Sequence, residues 1–315
     1  MTDQSKKEFK DLLTQDARSG KLGRRDFMRF AVAAGMTIPL ASGLWTSEVA
    51  AATPKKGGKF RVGVHDMNTS DSHDPGTYQS VGQIQIAHCH RSYLTEITAE
   101  NGLGPDMADS WSASADAKTW TFELNKNAVF HNGKKFTSAD AVASLNHHRG
   151  EKSTSGGKAL LSTVKDIRAK GDNAIEIELT QGSADLPWFM TDYHLVMVPA
   201  KADGTAEWES GTGAGPYEIT SHKPGIGTTY KRHDGWHREG AYFDEIEMVG
   251  LNDPNARQTA LITGDVDAIT SVDLKTAALL GRNPNIVLEN VPSGSAITLP
   301  MFCDVAPFDL SLIHI

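Results

Sequence analysis

The stretch VFHNGKKFTSADAV, residues 129–142, carries the clearest local structural signals in this chain. The pair Asn132-Gly133 is typical of a tight turn, because both residue types tolerate the backbone angles that such turns require. Thr137 followed three residues later by Asp140 is a start signature of a helix, in which the two side chains bond to each other's backbone N–H. The stretch therefore predicts a turn that leads directly into a helix.

On either side of this stretch, apolar and polar residues recur with the spacings of strands and helices. Strands and hairpins dominate up to residue 231, whereas strands and helices alternate from residue 245 onward. Such alternation builds α/β layers, so we predict the α/β class. The predicted strands are 59–64, 120–124, 164–168, 174–179, 217–219, 228–231, 245–249, 266–269 and 286–289, and the predicted helices are 83–95, 253–264 and 274–280.

The composition excludes some classes of partner. The 315 residues carry a formal net charge of −8, whereas nucleic acids and anionic lipid surfaces attract basic proteins. We therefore expect no nucleic-acid partner. The two cysteines, Cys89 and Cys303, could pair in an oxidising compartment or remain separate thiols, and two cysteines build no disulfide framework.

The segment before residue 53 has the organisation of an export signal. Arg24 and Arg25 are followed by Phe27, then by a weakly apolar run over 30–44 and by small residues at 50–52. This order resembles the twin-arginine export motif, which implies a signal peptide over 1–52, passage through the twin-arginine (Tat) translocon, and a soluble periplasmic product. The alternative is an uncleaved membrane anchor, but the apolar run is shorter than the roughly twenty residues that span a bilayer.

Catalytic signatures are missing from the sequence. It contains neither a G-x-x-x-x-G-K-[ST] phosphate-binding loop nor a G-x-S-x-G nucleophile elbow. His88-Cys89-His90 looks like a metal site, but residues two apart on a helix point in different directions. We therefore predict no catalytic residue, no metal and no cofactor. A secreted cofactor-dependent enzyme is the rival hypothesis, because twin-arginine export often serves cofactor-loaded proteins.

Five stretches of the chain, in this order, carry a family resemblance: Asp74-Pro75, 105–111, 120–142, 213–217 and 253–267. Together they resemble the solute-binding proteins of bacterial ATP-binding-cassette (ABC) importers, family 5. This class takes di- and oligopeptides, nickel and some sugars. The resemblance implies the two-lobed periplasmic binding protein fold of the large peptide-binding class, whose lobes close on a solute.

The resemblance also implies a division of the chain. Residues 310–315 do not resemble the family, so we expect the second lobe to be incomplete and the isolated chain to fold poorly, with strand edges uncovered. The expected parts are the signal peptide 1–52, a first segment of lobe I over 53–98, an extra subdomain of lobe I over 99–195, a second segment of lobe I over 196–251, and the start of lobe II over 252–315.

The function implied by the resemblance is capture of a di- or oligopeptide-like solute in the cleft between the lobes. A monomer would then deliver the solute to an ABC permease in the inner membrane. For the ligand site the resemblance suggests Tyr78 and Gln79 on one wall and Ala296 and Thr298 on the other, the alternative for each being an ordinary loop or core position. A nickel or haem binder of the same family is the alternative function.

Overall fold

The computed structural model describes residues 55–98 and 101–289, together with 24–34, 36, 37 and the single residues 13 and 41. The α-helices in these ranges are α1 Arg24–Ala33, α2 Val81–His90, α3 Ser138–Asn146, α4 Leu186–Phe189, α5 Pro254–Thr263 and α6 Leu274–Leu280. The strands are β1 Lys59–Val64, β2 Thr95–Ile97, β3 Leu103–Pro105, β4 Ala108–Ala113, β5 Thr119–Leu124, β6 Val164–Ala169, β7 Ala174–Leu179, β8 Tyr217–Lys223, β9 Gly227–Arg232, β10 Glu245–Gly250 and β11 Ala268–Ile269.

The first sheet is mixed and is assembled from distant parts of the chain. Its strand order in the described residues is β11-β1-β10-β9-β8, with β1 parallel to both β10 and β11. The pairs β10–β9 and β9–β8 are antiparallel. Val64, Tyr217, Tyr230, Ile246 and Met248 form the centre of its apolar core. Parallel strands need a long crossover connection, and here the chain between β1 and β10 contains the second sheet.

The second sheet is antiparallel and local. Its strand order is β4-β5-β7-β6, and α3 packs against β6 and β7. Phe122, Phe130, Ile175 and Ile177 are fully buried in its core. The predicted hairpin around 171–173 is confirmed as the β6–β7 pair.

The stretch 129–142 has the predicted turn and helix start. Gly133 has a φ of 80°, and the turn leads to α3. The Asp140 carboxylate accepts a hydrogen bond from the Thr137 backbone N–H at 2.9 Å. Asp140 is fully buried and also accepts from the Ala200 N–H at 2.7 Å, while Lys134 pairs with it from the turn. One carboxylate therefore joins the turn, the helix start and a distant loop.

The chain returns from the second sheet to the first through a crossing at residues 213–215. A Cβ at Gly213 would lie 1.8 Å from the His90 carbonyl oxygen, so only glycine fits there. His131 holds the crossing from the other side. Its Nε2 lies 3.1 Å from the Gly215 carbonyl oxygen, and its Nδ1 lies 3.3 Å from the Gly213 nitrogen. The side chain therefore donates to one residue and accepts from the other.

Three sequence predictions are corrected by the structure. Helix α2 ends at His90 rather than 95, because Arg91 takes an extended backbone conformation and anchors its side chain elsewhere. The strand predicted over 266–269 is limited to Ala268–Ile269. Residues 286–289 form no strand: they have no strand partner in the described part of the chain, and Val287 is 80% exposed. A short run of apolar residues forms a strand only where a neighbouring strand offers backbone hydrogen bonds.

Candidate functional site

Three parallel strands end at one edge of the first sheet. The carboxyl ends of β1, β10 and β11 lead into residues 65–68, 251–253 and 270–273, which we call the carboxyl edge. In open α/β sheets, ligands bind in the crevice outside the carboxyl ends of the strands. The carboxyl edge is therefore the candidate binding site.

Arg257 on α5 fastens two loops of the carboxyl edge to each other. Its side chain is 4% exposed and donates to the carbonyl oxygens of Leu251 at 2.5 Å and Asn252 at 3.2 Å. It also donates to those of Thr270 and Ser271, both at 2.9 Å. Burial lowers the pKa of the Arg257 guanidinium from its ordinary value. Since its hydrogen bonds go to backbone carbonyls, Arg257 positions the loops and is not free to bind a ligand.

His65 bridges the loops that follow β1 and β11. Its Nδ1 lies 3.2 Å from the Thr270 hydroxyl and its Nε2 lies 3.0 Å from the Ser271 hydroxyl. Burial, with a contribution from the Arg257 charge, lowers the pKa of His65, so the imidazole is neutral at pH 7. A neutral imidazole flanked by two hydroxyls offers both donors and acceptors to a polar ligand.

The backbone of the carboxyl edge is strained at two places. Asp66 and Ser271 have φ values of 57° and 51°, in the left-handed region that non-glycine residues rarely adopt. The Asp66 conformation is held by its carboxylate, which accepts from the Val81 N–H at 2.9 Å at the start of α2. Asn252 fixes the neighbouring loop, with its side-chain amide 3.1 Å from both the N–H and the carbonyl of Met67. Such strain persists only where surrounding contacts impose it, often at ligand sites.

The two described residues of the predicted ligand set lie in the loop that leads to α2. Tyr78 is 2% exposed and its hydroxyl donates to the His73 carbonyl at 3.2 Å, so in this structure it supports the loop. Gln79 is exposed, and its backbone N–H donates to the Gln83 side chain. Ala296 and Thr298 lie outside the described residues. A contact of any of the four with a solute stays a prediction.

Asp74-Pro75 ties this loop to the second sheet. The Asp74 carboxylate accepts from the Gly76 N–H at 2.8 Å and lies 2.7 Å from His147 Nε2, at the end of α3. Although burial opposes the shift, hydrogen bonds from His147 and Gly76 lower the pKa of Asp74. The Asp-Pro motif is therefore a structural link in this chain.

The residues of the suspected metal motif do not converge. His90 is fully buried with Nδ1 2.7 Å from the Ile86 carbonyl, whereas His88 Nδ1 lies 3.0 Å from the Tyr93 hydroxyl. Cys89 is buried, which raises the pKa of its thiol, and Cys303 lies outside the described residues. In the described ranges, no three His, Cys, Asp or Glu side chains are grouped as metal ligands.

The predicted export motif lies at the start of α1. Arg24 and Arg25 open this helix, and Phe27 is 1% exposed in a small cluster with Leu13 and Ala31. None of the helices within the described ranges has the length and apolar character needed to cross a membrane. Export through the twin-arginine pathway stays a prediction.

The comparison with family sequences decides the family. The matching family is "Bacterial extracellular solute-binding proteins, family 5 Middle", and the match covers residues 102–311. The chain belongs to this family. The predicted family and the predicted α/β periplasmic binding protein fold are therefore confirmed.

Curated members of this family cover much of the chain. A probable peptide ABC transporter periplasmic-binding protein, y4tO of Sinorhizobium fredii, is 28% identical over 309 residues, which are 91% of this chain and 56% of that protein. The nickel-binding periplasmic protein of Escherichia coli is 25% identical over 203 residues, 61% of this chain and 38% of that protein. The chain thus spans about half the length of the first of these relatives and about two fifths of the second.

Solved structures agree on the fold. AgaA of A. tumefaciens R10, bound to agropinic acid, superposes with a TM-score of 0.66 at 26% identity, covering 72% of this chain and 46% of that one. DppA of Helicobacter pylori, bound to the peptide STSA, superposes with a TM-score of 0.65 at 20% identity, covering 74% and 50%. At 20% identity, the similarity to DppA supports the fold and nothing further.

Sequence reasoning missed the residues that build the carboxyl edge. Arg257 lies within a stretch that resembles the family, but its sequence gives no sign that it binds carbonyls of two loops. His65 could have been found, because it directly follows a predicted strand, and ligands bind where parallel strands end. That inference needed the partners of β1, which local patterns do not reveal.

Proposed function

We propose that this chain is a periplasmic binding component of an ABC importer. It captures a di- or oligopeptide-like solute in a cleft of which the carboxyl edge forms one wall, and a permease in the inner membrane receives the solute. The observation that carries the proposal is the meeting of β1, β10 and β11 at one edge, in a chain of the solute-binding family. The relative y4tO, named as a probable peptide-binding protein, supports the choice of a peptide.

The chemistry of the carboxyl edge favours binding over catalysis. A serine hydrolase needs a serine, a histidine base and usually a carboxylate that orients the base. Ser271 and His65 lie at hydrogen-bonding distance, 3.0 Å, but the other ring nitrogen of His65 faces the Thr270 hydroxyl rather than a carboxylate. The lowered pKa also makes His65 a weak base. The imidazole of His65 and its two neighbouring hydroxyls suit the amide groups of a peptide, which both donate and accept hydrogen bonds.

The nickel alternative rests on the Escherichia coli relative named as nickel-binding. His65 is the one imidazole we place on the carboxyl edge, and its two nitrogens face hydroxyls. A site built from the described residues would therefore need further ligands from elsewhere. We rank a peptide-like solute above nickel for this reason.

We further propose that residues 1–52 direct export through Arg24, Arg25 and Phe27, and that the exported protein acts in the periplasm as a monomer. The proposed parts of the remaining chain are those stated above, with one revision. Because β11 pairs with β1, residues 254–269 belong with the first sheet, and we now place the start of the second lobe after Ile269.

The test is a titration of the isotopically labelled 315-residue chain, followed by NMR, with Ala-Ala, tri-alanine and nickel chloride. We expect the peptides to shift backbone signals of the carboxyl edge, with weak affinity because only one wall is engaged. His65→Ala should abolish these shifts, whereas Lys231→Ala, on β9 at the other end of the strands, should preserve them. Shifts with nickel alone would contradict the peptide proposal.

Turnover is measured in the same samples by mass spectrometry. We expect the peptides to remain intact over a day. Hydrolysis that is lost in Ser271→Ala would show an enzyme and would overturn the binding role.

A further inference from the structure

Five of the described histidines lie beside the crossing between the two sheets, in two groups. In the first group the ring centre of His73 lies 4.7 Å from that of His222 and 6.1 Å from that of His90. In the second group the ring centres of His131 and His233 are 4.8 Å apart. The five residues come from the loop before α2, from α2, from β8, from the turn before α3 and from the segment after β9. The set, which we call the histidine collar, therefore joins elements of both sheets.

The crossing is hydrogen-bonded to both groups. The Gly215 N–H donates to the His90 carbonyl at 3.0 Å, and the Gly215 carbonyl oxygen lies 3.1 Å from His131 Nε2 and 3.3 Å from His233 Nδ1. His131 Nδ1 accepts from the Gly213 N–H at 3.3 Å. A proton on this nitrogen would face that N–H and remove the acceptor. These bonds to the crossing therefore require a neutral His131 ring.

The first group has no acceptor for an added proton. His90 is fully buried, with Nδ1 2.7 Å from the Ile86 carbonyl, and its Nε2 has no partner among the described residues. His222 Nε2 is also buried without a partner there, while its Nδ1 lies 2.8 Å from the Thr228 hydroxyl. Arg91 directly follows His90 and brings a buried positive charge. A second buried positive charge beside it is costly, so this structure requires neutral rings here as well.

The acidic groups that face the collar do not pair with it. Each has another partner: Glu218 pairs with Lys231 at 3.0 Å, Asp234 pairs with Arg232 at 3.0 Å, and Asp71 accepts from the Asn68 N–H at 2.8 Å. The cationic groups that face the collar are Arg91 and His237. Among the described histidines, those that pair with a carboxylate are His147, His194 and His237, none of which belongs to the collar.

We propose that the histidine collar is an acid-sensitive switch, which holds the crossing while its rings are neutral and releases it when they take up protons together. The rings act together because the opening that admits water to one ring also hydrates its neighbours, and each hydrated ring then binds a proton more readily. The second sheet has an apolar core of its own, so we expect it to stay folded when the crossing is released.

The direction of the pH dependence follows from the buried rings. Burial, together with neighbouring positive charges, lowers the pKa of His73 and of His131 to about 4, whereas an exposed histidine has a value near 6.5. The released state therefore binds more protons than the closed state between these two values. The closed state is fully stable above about pH 6.5 and loses stability as the pH falls toward 4. Uptake of several protons makes this loss steeper than a single histidine allows.

The test is an NMR titration of the isotopically labelled 315-residue chain from about pH 7.5 to about pH 4, a range that includes both values. We expect the amide signals of Gly211, Gly213 and Gly215 to change in one transition with a Hill coefficient of about 2 or more. Signals of β5 and β7 should stay unchanged through it. Separate transitions with Hill coefficients near one, a crossing that stays unchanged throughout the range, or loss of the β5 and β7 signals in the same step would overturn the proposal.

Variants show whether the collar is the source of the transition. His73→Gln and His222→Gln each remove one proton site at a half-buried position. Each should lower the midpoint by about half a pH unit, because the released state then binds one proton fewer. His194→Gln is the matched control, since His194 is buried but lies outside the collar, 2.7 Å from Asp192, and it should leave the midpoint unchanged. Circular dichroism at pH 7.5 checks that each variant folds. An unchanged midpoint in both collar variants, or an equal shift in His194→Gln, would contradict the proposal.

Discussion

The two sheets of this molecule are built in opposite ways. The second sheet joins strands from one stretch of the chain, residues 108–179, and its core is a dense set of aliphatic and aromatic side chains. The first sheet joins β1 to strands about two hundred residues later in the chain. Polar side chains hold β11 in place: Asp267, next to β11, pairs with Arg61 of β1, and Arg257 binds the loop that follows β11. The comparison shows that the second sheet depends on the pattern of its apolar side chains, whereas the carboxyl edge depends on a few hydrogen bonds between residues far apart in sequence.

The largest effect is expected where the chain passes between the sheets. Gly213→Ala places a Cβ against the His90 carbonyl, which cannot move without shifting α2. We expect a loss of more than about 4 kcal/mol in the free energy of unfolding, or a chain that does not fold. Gly171→Ala is the control within the second sheet, since nothing lies within 4 Å of its added Cβ and only the φ of 68° opposes it.

That control should cost about 1–2 kcal/mol in urea unfolding followed by tryptophan fluorescence. Equal losses for the two alanine variants would show that the crossing is not the constraint that joins the sheets.

The next effect concerns the carboxyl edge. Arg257→Ala leaves partly buried carbonyl oxygens of two loops without their donor, and we expect a loss of about 3 kcal/mol in the free energy of unfolding. The matched arginine of the second sheet is Arg168, half exposed in pairs with Glu176 and Glu178. Arg168→Ala should change the free energy by less than about 1 kcal/mol.

Amide hydrogen exchange then shows which elements the Arg257→Ala substitution destabilises. We expect faster exchange in β11 and α5 of the Arg257 variant and unchanged exchange in β5 and β7. Unchanged exchange at β11 would contradict the role assigned to Arg257.

The smallest effect, counted per pH unit, is a pH dependence at the crossing. Burial lowers the pKa of His131 to about 4, whereas the unfolded chain has a value near 6.5. The unfolded state thus binds more protons between these values, so the stabilisation is complete above about pH 6.5 and is lost progressively as the pH falls toward 4. Protonation of Nδ1 would also remove the acceptor for the Gly213 N–H.

We expect His131 to contribute at most about 1.4 kcal/mol of lost unfolding free energy per pH unit in that window, the slope for uptake of one proton. His131→Asn should flatten the pH profile measured by urea titrations at several pH values. The same slope in the variant and the parent would rule out His131 as a source of the dependence.

Much of the fold could be predicted because its signals are local. The hairpin around Gly171, the start of α3 at Thr137 and the end of α5 at Gly264 each depend on residues a few positions apart. The strand predicted at 286–289 failed because a strand also needs a partner, which no local pattern supplies. The parts of the chain expected from the resemblance stay predictions apart from the proposed shift beyond Ile269.

The candidate site was predicted less well. Tyr78 was chosen by resemblance, and the structure buries it under its own loop, while His65, which lies on the carboxyl edge, was not chosen. A side chain's exposure depends on what packs over it. For Tyr78 that is a loop whose position the sequence does not specify.

The sequence by itself determined the turns, hairpins and helix starts, and through its ordered stretches it identified the family. Only the tertiary structure decided that His65 meets Thr270 across 205 positions, and that Arg257 is buried where it binds the carbonyls of two loops. The physical reason is the distance along the chain over which each kind of interaction acts. Backbone preferences and caps act over a few residues, whereas the burial of a charge and the meeting of strand ends depend on the path of the whole chain.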